Sequence, residues 1–96
     1  MRRTVWKYLL KSSSDEQKLE LPLGAKLVHV GLAPGGPAVW IELDPDETRM
    51  IEHRFWVHGT GHEVPLWRDH IGSVIVPPLV WHVYHAQELN KYGSGY

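Results

Sequence analysis

Residues Ala25–Leu43 read AKLVHVGLAPGGPAVWIEL. Two runs rich in β-branched and alternating apolar residues flank Pro34-Gly35-Gly36-Pro37, and a tight turn is what fits between such runs. Glycine reaches positive φ without the steric cost of a Cβ. The stretch therefore reads as a hairpin of strands Ala25–Leu32 and Ala38–Leu43. On the second strand Val39, Ile41 and Leu43 share one face, and Trp40 and Glu42 the other.

The same signals extend in both directions. Upstream, Arg3–Leu10 is a strand, Lys11–Glu16 a polar connector, and Gln17–Leu21 a strand ended by Pro22 and a turn at Leu23-Gly24. Downstream, Asp44–Glu47 is a turn in which Pro45 presets φ. Arg49–His58 follows as the longest strand, with Ile51, His53, Phe55 and Val57 toward the core and Met50, Glu52, Arg54, Trp56 and His58 opposite. Gly59–Pro65 is a loop and Leu66–His70 an irregular turn, before strands Ile71–Val76 and Leu79–His85 around Pro77-Pro78. No stretch carries the 3.6-residue helical period. The chain is expected to form an all-β, small single-domain barrel or sandwich of about six to seven short antiparallel strands. The domain is expected to span residues 1–86, with residues 87–96 a flexible C-terminal tail. Edges on so small a sheet invite pairing between copies, so a homo-oligomer is expected.

Composition narrows the function classes. Ten Lys/Arg stand against eleven Asp/Glu in 96 residues, which disfavours a nucleic-acid binder that depends on phosphate neutralisation. The charge is uneven, however: Arg2, Arg3, Lys7 and Lys11 make the N-terminal stretch basic, and residues 12–52 are net acidic. Cysteine is absent, so neither a disulfide nor a thiolate nucleophile or ligand is available. MRRTVWKYLLK lacks the apolar run of a secretory signal, and Ile71–Trp81 is too short and too broken by proline to span a membrane.

Seven histidines and five tryptophans are the unusual counts. His58-Gly59-Thr60-Gly61-His62-Glu63 could form an anion-holding nest of backbone N–H groups, with Thr60 and His62 adding donors. Arg54 and Trp56, on the same strand face as His58, suggest a surface that pairs stacking with a cation, suited to a nucleobase or a partner protein. The candidate ligand-binding set is therefore Arg54, Trp56, His58, Gly59, Thr60, Gly61 and His62. A metal could be held if His58, His62, Glu63 and His82 converged, although His82 and His85 point to opposite faces of their strand. His29, His53 and His70 have no ligand partner close in sequence. Ser73 and Thr60 lack an evident base, so no catalytic residue is assigned.

An ordered series of motifs then bears on origin: Val5-Trp6-Lys7-Tyr8, Leu21-Pro22 with Gly24-Ala25-Lys26, Trp40, Asp44-Pro45, Gly59-Thr60-Gly61-His62, Ile71-Gly72 and Val80-Trp81-His82-Val83. Over residues 4–85 this resembles a family of small uncharacterised proteins of bacteriophages and prophages. The resemblance implies a phage-encoded protein acting in the host bacterial cytoplasm, and it transfers no residue role. The residues and this setting point to a binding protein without turnover or cofactor, a counter-defence or host-takeover factor. It would sequester a small anionic or nucleotide ligand or bind a host protein. The alternatives are a metal-dependent hydrolase or sensor using the histidines, and a virion or assembly component.

Overall fold

A computed structural model describes residues 2–87. Seven strands form, with no helix among the described residues: β1 (Thr4–Leu9), β2 (Gln17–Pro22), β3 (Lys26–Ala33), β4 (Gly36–Leu43), β5 (Met50–Gly59), β6 (Asp69–Val76) and β7 (Leu79–Gln87). They make a three-stranded sheet of order β1-β4-β3 and a four-stranded sheet of order β2-β5-β7-β6. Every pairing is antiparallel. The sheets pack face to face without closing, so the sandwich alternative holds. Gln87 ends β7, and the rest of the expected tail lies outside the described residues.

The hairpin at Pro34-Gly35 forms as its residues demand. Ala33 pairs with Gly36, and Gly35 has φ +102°, the value that position of a tight turn reserves for glycine. Alternation then builds the core. Val39, Ile41 and Leu43 of one sheet meet Phe55, Val57 and Val83 of the other, with Leu10 and Leu21 at the margins. Near one corner β6 approaches β3 so closely that a Cβ on Gly72 would lie 2.8 Å from Val30 Cβ.

Two features of the topology place the site. First, β5 and β6 both run antiparallel to β7, which lies between them, so they are parallel to each other. A connection between parallel strands of one sheet must travel back along the strand length. Residues 60–68 therefore return from the level of Gly59, which pairs with Trp81, to that of Asp69, which pairs with His85. Second, the register of β6 against β7 shifts between His70 and Gly72. Ile71 is the additional residue of a β-bulge. Across it, His70 pairs with Tyr84 and Ser73 with His82, so residues three apart come to share one face.

Candidate functional site

The outer face of the four-stranded sheet collects most of the predicted residues. Arg54, Trp56 and His58 alternate along β5, as the sequence implies. Trp56 is only 2% exposed, because the returning 60–68 connection covers it. Trp67 packs edge-on against it, with ring centroids 5.3 Å apart, and the Arg68 guanidinium lies 3.9 Å from its ring centroid. Trp67 itself is 55% exposed. The Arg54 guanidinium lies 5.5 Å from the Trp67 centroid. Arg54 also lies 5.9 Å from the Trp56 centroid, so the two residues do sit together, but the accessible ring beside them is Trp67 and not Trp56.

Arg54 has a carboxylate partner, Glu16 at 3.4 Å. Among the described residues no carboxylate lies within ion-pairing distance of Arg68. Its Nη1 donates instead to Nε2 of His58 at 3.1 Å. Its Nε is buried without a hydrogen-bond partner among the described residues, as is the Nε of Arg54. Burial, reinforced by the neighbouring Arg54 and partly offset by Glu16, pushes the Arg68 guanidinium below its ordinary range. Two guanidinium groups thus sit beside an exposed indole with one carboxylate between them, and that arrangement suits an anion.

His58 joins this shelf to a second hollow. The His58 ring packs edge-on against His62 and Tyr84, at 5.8 and 5.5 Å between centroids. Burial, then the charges of Arg68 and His62, lower the His58 pKa and keep the imidazole neutral. A cleft of about 330 Å³ opens here, lined by the 58–62 loop, Val64, His70, His82 and Tyr84. The glycine loop is a turn in which the His62 N–H donates to the Gly59 carbonyl at 3.3 Å. Gly61 takes φ +93°. The Gly59 N–H donates to Nδ1 of His62 at 3.3 Å. Two of the four N–H groups of an expected nest, those of Gly59 and His62, are thereby committed within the turn.

Along the cleft wall runs a chain of hydrogen bonds that the sequence does not advertise. His70 Nε2 is 3.1 Å from Ser73 Oγ, Ser73 Oγ is 2.8 Å from His82 Nδ1, and His82 Nε2 is 3.0 Å from Thr60 Oγ1. Both hydroxyls that lacked a histidine partner in the sequence acquire the same one, His82, through its two different nitrogens, and His70 acquires Ser73. A signal was present in Ile71-Gly72, a bulge-compatible step within an apolar strand, but it becomes readable only once the register is known.

The metal alternative takes a different form. Among the described residues no three His, Asp or Glu side chains gather as a metal-binding group. His82 has both nitrogens hydrogen-bonded to hydroxyls, and Nδ1 of His62 is occupied by the Gly59 N–H. On the inner face, His53 Nδ1 and His85 Nε2 are 2.9 Å apart. His82 and His85 do point to opposite faces. Burial, opposed by Asp69, lowers the His85 pKa.

A two-sheet antiparallel sandwich with an arginine–tryptophan shelf beside a histidine-lined cleft defines a small β domain with one built face. The chain belongs to the family described as a domain of unknown function, DUF7352, whose model matches residues 1–93. No curated protein and no solved structure matches it.

Proposed function

We propose that this protein is a binding module whose ligand is a small anion bearing an aromatic ring, with nucleotides the class that fits. The support is Arg68, a guanidinium without a paired carboxylate among the described residues, stacked on Trp56 beside Arg54 and the exposed Trp67. A partly desolvated cation that is only partly compensated gains from an anionic partner. The base would stack on Trp67, and the phosphate would bridge the arginines toward Thr60 and His62. In the setting that the phage-family resemblance implies, capture of a host nucleotide signal is the role this chemistry serves.

Isothermal titration against linear and cyclic nucleotides tests this proposal. Exothermic one-to-one binding that weakens at least tenfold in Arg68→Met is expected. No heat with any nucleotide overturns it. A Thr60→Ala/His62→Ala double variant locates the phosphate: weakened binding places it at the glycine loop.

One observation favours a second reading, in which a host protein is the ligand. Leu66 is fully exposed beside the exposed Trp67, and a tryptophan flanked by arginines is the kind of side chain that anchors the centre of a protein interface. Trp67→Ala and Leu66→Ala would then abolish the capture of one host protein, with no dependence on nucleotides.

A further inference from the structure

The structure assigns Ser73 as a nucleophilic serine, with His82 as its base and Thr60 positioning the imidazole. This goes beyond the anion-binding reading, because Arg68 and Trp67 take no part in it. A serine hydroxyl becomes reactive when a base within hydrogen-bond reach accepts its proton and a third group orients that base. All three parts are present. Ser73 Oγ lies 2.8 Å from His82 Nδ1, and His82 Nε2 lies 3.0 Å from Thr60 Oγ1. Ser73 is exposed, and its partners His70 and His82, with Thr60, line the cleft.

The proton inventory closes. A neutral imidazole has one N–H and one lone pair. If Nε2–H donates to Thr60 Oγ1, the lone pair is at Nδ1 and accepts the Ser73 O–H. Ser73 Oγ then has lone pairs left to accept from Nε2–H of His70, 3.1 Å away. His70 thus fixes the hydroxyl rotor so that its proton is directed at His82. Each residue of the chain is satisfied in this polarity, which is the one attack requires.

The substrate class follows from what stands behind the base. Among the described residues the group behind His82 is Thr60 and not a carboxylate, and a hydroxyl stabilises an imidazolium less than a carboxylate does. The site is therefore suited to activated esters and organophosphorus reagents, whose leaving groups need little help, and not to amides. Ser73 Oγ bonds to the carbonyl carbon while its proton passes to His82 Nδ1. The C–O bond to the leaving alcohol then breaks, and that oxygen takes the proton from His82. A water molecule, deprotonated by the same Nδ1, hydrolyses the acyl-serine and restores the hydroxyl.

The test is labelling of the intact protein with a fluorophosphonate probe, with the modified residue located by mass spectrometry. Ser12 and Ser14, in the polar connector, serve as internal controls. Labelling of Ser73 at least tenfold faster than of Ser12 or Ser14 is expected. His82→Asn, which keeps a polar side chain but removes the base, should bring Ser73 to the control rate. Thr60→Val should slow it and Thr60→Ser restore it. Circular dichroism checks that each variant stays folded. Labelling of Ser73 no faster than of the controls, or unaffected by His82→Asn, overturns the assignment whatever nucleotides do.

Discussion

Arg68 Nη1 donates to Nε2 of His58 across 3.1 Å, and this contact sets the tautomer of a buried histidine. A guanidinium carries donors only, so Nε2 must accept, and the ring proton sits on Nδ1. Protonation of His58 would remove the acceptor and place a second cation against Arg68. Burial, Arg68 and His62 all act in that direction and lower its pKa, and burial does the same for His85. A depressed folded-state pKa means that the unfolded chain binds more protons in the window below the ordinary imidazole value of about 6.5. Stability should be full above that value and decline as pH falls below it. In urea melts, His58→Gln, which keeps an acceptor and removes the titration, should flatten part of the decline, and adding His85→Gln should flatten more. An unchanged slope in both variants would contradict this account.

The covering of Trp56 by Arg68 depends on a flat, delocalised cation. Arg68→Lys should therefore act like a loss and not like a conservative change. Both Arg68→Lys and Arg68→Met should lower stability by about 1 kcal/mol, the typical scale of a partly desolvated cation–π contact. Equilibrium urea denaturation reads this directly.

Gly72 exists for packing. A Cβ there would meet Val30 Cβ at 2.8 Å and its two γ-carbons at 3.1 and 3.2 Å. Gly72→Ala should cost about 1–3 kcal/mol, as overpacking of a close contact does. Val30→Ala should not rescue it, because the tightest contact is to a carbon that alanine keeps.

Gly61 exists for its backbone. Nothing lies within 4 Å of its would-be Cβ, yet φ is +93°. Gly61→Ala should cost about 1–2 kcal/mol through the left-handed conformation alone, and Gly61→Asn less. Thermal melts of the two variants separate this cause from a packing cause, which would penalise asparagine more.

Period-2 alternation made the sandwich legible: Val39, Ile41, Leu43, Phe55 and Val57 face the core where a two-residue repeat puts them. Arg54, Trp56 and His58 were legible as a face for the same reason. Strand order was not, because the pairing of β5 with β7 skips β6 and leaves no local trace. That long-range pairing carries Trp67 and Arg68 over Trp56. The Ser73–His82 contact was hidden by the bulge at Ile71, since strict alternation puts His70 and Ser73 on opposite faces and the register shift brings them together.

The most direct test of anion binding on the arginine–tryptophan shelf is a heteronuclear NMR titration of the protein with nucleotides, following the tryptophan indole N–H and arginine Nε–H signals. The Trp67 and Trp56 indoles and Arg68 Nε–H should shift together and saturate with one affinity, while Trp6 and Trp40 on the other sheet stay still. No shift at Trp67 and Arg68 with any nucleotide, or a response confined to Trp6 and Trp40, would contradict the proposal.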